Sequence, residues 1–108
     1  MRKEEQIKIN NEVENVMNDV FEATRVCDVT WERLRTCKAA VATCGCYRIL
    51  LSYNTIVACI DTSDDTLYDF LRKVYGYTST SAQHISKFEK DYCAGKWNCA
   101  ERLTWREV

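Results

Sequence analysis

Between Tyr47 and Tyr92 the chain switches from a two-residue to a helical apolar period, and that switch limits what it can fold into. Residues 47–70 hold three short runs rich in β-branched and aromatic residues: YRILLS, IVACI and TLYDF. Asn54-Thr55 parts the first two, and Asp61–Asp65 parts the second from the third. Tyr47, Ile49 and Leu51 alternate with Arg48, Leu50 and Ser52, while Tyr68 and Phe70 share one face. Short connections favour pairing between neighbours, so these runs predict a three-stranded antiparallel meander. Threonine resists a positive φ, so Asn54-Thr55 makes either a tight hairpin or a longer, bulged loop. Thr62-Ser63-Asp64-Asp65 is a polar turn. Leu71 to Tyr75 either lengthens the third strand or turns. Beyond Tyr77-Thr78-Ser79-Thr80-Ser81 the period is helical: Ile85, Phe88 and Tyr92 fall three and four apart, and Thr80 with Gln83 has capping-box spacing. The helix at 80–92 thus carries a stripe for the sheet face that must be covered.

Residues 3–26 read as a further helix. Ile9, Val13, Val16, Val20 and Ala23 form a seam spaced four, three, four, three, which Met17 and Phe21 widen. Glu4 and Glu5 suit the start of its dipole and Arg25 its end. The seam either packs onto its own domain or pairs two copies through residues 9–23, although two heptads fall short of a coiled coil. After a break at Cys27-Asp28-Val29, Asp28 or Thr30 can cap a second helix, WERLRTCKAAVATC, built of good helix formers and stopped by Gly45. A strand over Val29–Arg35 competes, without clean alternation. The tail, 93–108, is helical if Asn98 and Glu101 cap it, and a strand if Leu103 and Trp105 alternate. The expected fold class is α+β: two N-terminal helices, a three-stranded antiparallel meander, a packed helix and a tail of open structure. All of it fits a single domain, 1–108, with a helical part to residue 44, the meander and helix over 46–92, and the tail.

Proline is absent and glycine occurs three times, so no flexible linker divides the chain. A net charge of −1 argues against a strongly basic nucleic-acid binder and against an acidic DNA mimic. No apolar run reaches the roughly 20 residues of a membrane span. MRKEEQIKINNEVENV has no apolar signal core, so the expected compartment is the cytoplasm. Seven cysteines, an odd number, without a signal sequence read as reduced thiols that act as small hydrophobes. The alternative is zinc, whose usual signature is paired C-x₂₋₄-C knuckles. The chain offers Cys44-Gly45-Cys46, one histidine, and the loose pair Cys93 and Cys99. Two thiols at that spacing on a strand would share a face.

His84 is the lone histidine, so any Cys–His nucleophile or His acid–base step must pass through it. Nothing in the sequence supplies a nucleophile and an orienting group beside it. The Tyr77–Ser81 run, with Arg72 and Lys73 near in sequence, either caps its helix or cradles an anion at the helix start. Phosphate-loop, dinucleotide and zinc-protease motifs are absent, which leaves no cofactor to expect.

The stretches Ser52-Tyr53-Asn54-Thr55-Ile56-Val57-Ala58, Leu67-Tyr68 and Tyr77-Thr78-Ser79-Thr80-Ser81-Ala82-Gln83-His84-Ile85-Ser86-Lys87-Phe88 resemble a family of small uncharacterised proteins. Phages and mobile elements of gut-type Gram-positive bacteria encode them. The resemblance covers about the second half of the chain and implies no enzymatic activity. It implies a setting in which small proteins bind and disable host defence machinery, as anti-CRISPR proteins do. The expectation is therefore a non-enzymatic module in the bacterial cytoplasm that occupies a host protein, with a CRISPR effector nuclease as the concrete target. Its interface would take in Tyr53, Asn54 and Thr55, then Tyr77, Thr78 and Ser79, exposed His84 and Lys87, and a rim of Arg72 and Lys73. A dimeric nucleic-acid-associated regulator and a zinc-stabilised structural module are the alternatives.

Overall fold

Ile49 and Leu50 are neighbours in sequence, and both are fully buried. Successive strand residues point to opposite faces, so the sheet that holds them must be covered on both sides. The computed structural model describes residues 2–35, 37–93 and 98–108 and shows that arrangement. Among these residues the strands are β1 (Glu32–Arg33), β2 (Ala39–Cys44), β3 (Tyr47–Ser52), β4 (Thr55–Asp61), β5 (Thr66–Asp69) and β6 (Glu101–Thr104). They lie side by side in that order in one sheet. Each pairs antiparallel with the next except β5 and β6, which run parallel. The helices are α1 (Lys3–Val26), α2 (Leu71–Val74) and α3 (Ser79–Tyr92). The chain is α+β, with a mixed sheet between α1 and α3.

The two faces hold separate cores. On one, Val13, Met17 and Val20 of α1 pack on Ile49, Cys59, Tyr68, Phe70 and Leu103. On the other, Ile85 and Phe88 of α3 pack on Leu50, Val57, Ala58, Ile60 and Leu67. The α1 seam therefore packs onto its own sheet, as does the stripe of α3. Val57 and Ala58 both face α3 although they are adjacent, because the β3–β4 register shifts by one residue beside Leu50 and Leu51. This bulge leaves Val57 unmatched in the ladder, and its carbonyl accepts the Phe70 N–H at 3.0 Å.

The expected second N-terminal helix and the three-stranded limit of the sheet do not hold. Residues 39–44 form β2, paired along its length with β3, and β1 pairs with β2 at the edge. Ala39 and Val41 bury against α3, whereas Ala42 is buried on the opposite side. Helix propensity in KAAVA is a fraction of a kcal/mol per residue, and a ladder with two buried faces outweighs it. Arg35, at φ 56°, lies between β1 and β2 where a second helix would have continued. The β3–β4 turn falls on Tyr53-Asn54, one residue earlier than expected, since Ser52 pairs with Thr55. Leu71–Val74 is a short helix. The tail holds a strand, and its parallel pairing with β5 encloses α2 and α3 in a crossover.

Polar side chains fasten the last strand. Arg102 on β6 donates to Asp69 on β5 and to Glu89 on α3, each at 3.2 Å. Asp69 and Glu89 are 3% and 7% exposed, so they depend on that guanidinium. Glu89 also accepts the Cys99 N–H, and Asp65 the Ala100 N–H, which sets the return into β6. From α1, buried Gln6 donates to the Thr104 carbonyl, while buried Asn10 holds both the N–H and the carbonyl of Arg106. Replacing Arg102 by Met keeps the aliphatic volume and leaves two facing buried carboxylates. We expect a loss of about 2–4 kcal/mol in urea denaturation, with the secondary structure retained below the transition. A loss under about 0.5 kcal/mol would assign the bridge to the weak surface class.

Candidate functional site

α1 rests on β4, β5 and β6 and also covers Ile49 of β3, and on the same side of the sheet an open groove lies beyond it, at the Ala40–Leu51 end of β2 and β3. The groove has a volume of about 680 Å³. Paired residues Ala40 and Leu51 make part of its floor. Trp31, Arg33, Lys38, Tyr53 and Asn54 line it as well. Aromatic and cationic groups thus surround a small apolar floor, and no carboxylate lines it. Such a surface complements a partner that offers apolar and acidic groups together.

Tyr53 connects this groove to α3. Its backbone is left-handed, at φ 54°, a conformation that costs a tyrosine of order 1 kcal/mol. The ring is 44% exposed, and its centroid lies 5.6 Å from the His84 ring. Beneath it, Ser52 Oγ is 2.8 Å from His84 Nδ1 and 3.0 Å from Ser81 Oγ. Ser52 and Ser81 are each 1% exposed and His84 3%. His84 is therefore not the exposed interface residue expected from sequence: Ser52 faces α3 and draws the imidazole inward. A serine–histidine contact is also what a hydrolase uses, but here the hydroxyl is sealed from substrate and shared with a second serine. The trio ties β3 to α3.

The other expected interface residues fall into two groups. Tyr53 and Asn54 form the β3–β4 turn at the groove, and Thr55 opens β4 beside them. Arg72 and Tyr77 meet elsewhere, with the guanidinium 4.7 Å from the ring centroid. Lys73 turns toward α1, 3.9 Å from Glu14 and 5.3 Å from the Trp105 ring centroid. Thr78 is the actual cap of α3, accepting the Ser81 N–H at 3.2 Å, in place of Thr80. Ser79 is exposed and Lys87 half-buried. Trp31, Arg33 and Lys38 were missed, since a helix over 31–44 would have spread them around a cylinder.

None of the seven cysteines forms a disulfide. Cys44 ends β2 and Cys46 sits in the Gly45-Cys46 turn, so the pair does not share a strand face. Burial, with Cys27 nearby beyond the end of α1, pushes the Cys44 thiol up from the ordinary value. Among the described residues no group of three or more His, Cys, Asp or Glu side chains is placed to hold a metal. None of the helices there is long and apolar enough to cross a membrane. Comparisons with protein-family models, curated proteins and solved structures each find no match.

Two outcomes follow from burial. Desolvation, aided by the Lys87 ammonium, lowers the His84 pKa from its ordinary 6.5. The unfolded chain then holds the proton more tightly, so this contribution to stability is complete above pH 6.5 and is lost as the pH falls toward the folded-state value. His84→Gln should flatten the acid side of a urea-midpoint profile and cost roughly 1–3 kcal/mol at neutral pH. An unchanged profile would place the acid sensitivity in other groups. Among the thiols, Cys27 and Cys46 are exposed whereas Cys59 is buried and raised in pKa by desolvation. Alkylation mapped by mass spectrometry should label Cys27 and Cys46 first and Cys59 only on unfolding. Early labelling of Cys59 would mean that α1 lifts from the sheet.

Proposed function

We propose that the chain is a non-enzymatic binding module that occupies a surface on another protein through the open groove at the Ala40–Leu51 end of β2 and β3. One observation carries this reading: the 680 Å³ groove in which Trp31 and Tyr53 stand beside Arg33 and Lys38, with no carboxylate in its lining. Tryptophan, tyrosine and arginine are the residues on which interface affinity concentrates. Tyr53 in a left-handed turn presents a large ring with little freedom to lose on binding. The resemblance to small phage and mobile-element proteins suggests the partner's kind, a host defence protein of the bacterial cytoplasm. A CRISPR effector nuclease, whose surface would supply the acidic groups, is the concrete target. Tyr77, Thr78 and Ser79 lie outside the groove in this reading.

The experiment is size-exclusion chromatography of the purified chain with a CRISPR effector nuclease of a Gram-positive gut host, followed by a DNA-cleavage assay. We expect a stoichiometric complex that blocks cleavage. Arg33→Glu with Lys38→Glu, or Tyr53→Gly, should weaken it by about tenfold or more. The glycine suits the left-handed backbone, so that variant should stay folded. A complex indifferent to all three substitutions would remove the groove from the proposal, and no complex would remove the target.

A second reading has a specific observation in its favour. Cations alternating with aromatic rings on a sheet face also suit single-stranded nucleic acid. Two cations and a net charge of −1 supply little phosphate neutralisation, which ranks this reading second. Steep loss of binding with salt, in a complex that nuclease treatment destroys, would reverse the order.

A further inference from the structure

A second cleft, of about 370 Å³, opens where the parallel strands β5 and β6 end. Asp69 and Thr104, the last residues of those strands, line it together with Arg72, Tyr77, Ser86, Arg102 and Arg106. In open sheets, ligands settle outside the carboxyl ends of parallel strands. Three arginines and one acidic residue line the cleft. Asp69 is already occupied, accepting from Arg102 and from the Leu71 N–H. The charge of Arg102 is in turn met by Asp69 and Glu89. Arg72 and Arg106 are left. Among the described residues neither guanidinium meets a carboxylate.

The protein holds Arg72 by its side chain and Arg106 by its main chain. Arg72 lies against the Tyr77 ring, with its guanidinium 4.7 Å from the centroid. Asn10, 5% exposed, grips the main chain of Arg106 on both sides, donating to its carbonyl at 2.6 Å and accepting its N–H at 3.0 Å. Gln6 in turn holds the Asn10 amide oxygen at 2.8 Å and the Thr104 carbonyl at 3.0 Å. A pair of buried amides on α1 thus sets the strand exit that presents Arg106. Two arginines without a carboxylate partner on the lining of one cleft suit an oxyanion, since planar forks bind phosphate or carboxylate oxygens in pairs. Hydroxyls of Tyr77, Ser86 and Thr104 line the same space and can donate to further oxygens. The volume exceeds that of a lone ion and falls in the range of small-ligand pockets.

We propose that this cleft binds the phosphate group of a small phosphomonoester, with Arg72 and Arg106 as its principal ligands. The site stands apart from the β1–β3 groove and does not depend on its role.

The test is isothermal titration of the full chain with adenosine monophosphate, inorganic phosphate and adenosine at matched ionic strength. We expect saturable binding of the monoester with a Kd of about 1 mM or tighter and none of adenosine. Arg72→Gln and Arg106→Gln should each weaken it roughly ten- to a hundredfold. The corresponding lysine variants should lose less, and Lys90→Gln, on an exposed position outside the cleft, should bind as the parent does. Both arginine changes leave the main-chain bonds to Asn10 intact, and circular dichroism checks that the variants fold. Equal affinity for inorganic phosphate would uphold the site and make the free anion its ligand. No saturable binding of either anion, equal binding of adenosine, or full affinity in both glutamine variants would overturn the proposal.

Discussion

The alternation along β3 and β4 is the constraint on which the rest depends. Because Ile49 and Leu50 are both excluded from water, one covering helix is not enough. α3 closes the face toward Leu50, and α1 closes part of the face toward Ile49. Burying a side chain of this size is worth about 2 kcal/mol, so an open face over β3 to β5 would cost more than a small chain can spare. The cover is also asymmetric. α1 covers β4, β5, β6 and Ile49 but not the Ala40–Leu51 end of β2 and β3, which keeps the floor from which the groove is made.

Polar contacts decide where these layers sit. Apolar packing alone would let a helix slide along a sheet, whereas a hydrogen bond in a dry place has one geometry. Ser52 with His84 and Ser81 positions α3 on β3. Arg102, between Asp69 and Glu89, positions α3 on the β5–β6 edge. Gln6 and Asn10 position α1 on the strand exit. The groove and the β5–β6 cleft are each bordered by one of these contacts: Tyr53 follows Ser52 into the groove, and Arg106 follows β6 into the cleft.

The sequence was read well where local pattern and tertiary role agree. The bounds of α1, the three runs from Tyr47 to Asp69 and the α3 stripe could all be seen in apolar spacing. The failures lie where pairing overrides propensity. Ala39–Cys44 is made of helix-forming residues, and only its ladder to β3 makes it a strand. β1 has two residues, too few to carry a period. The parallel partnership of β5 and β6 joins segments about 35 residues apart, beyond any local signal. The groove was missed for the same reason, as four of its lining residues come from 31–38. The burial of His84 was missed because its partners, Ser52 and Ser81, are polar residues that a hydrophobic pattern ignores.

The amides on α1 that reach residues 104 and 106 also order events in time. On the ribosome α1 is made before the strands it covers, and its polar partners at residues 104 and 106 follow those strands. Until β6 pairs with β5, the Val13–Val20 stripe has an incomplete place to rest. The nascent chain therefore carries an amphipathic helix with its apolar side bare through most of synthesis. That segment is the natural point of contact for chaperones, and its contacts to residues 104 and 106 can form only once β6 has been made.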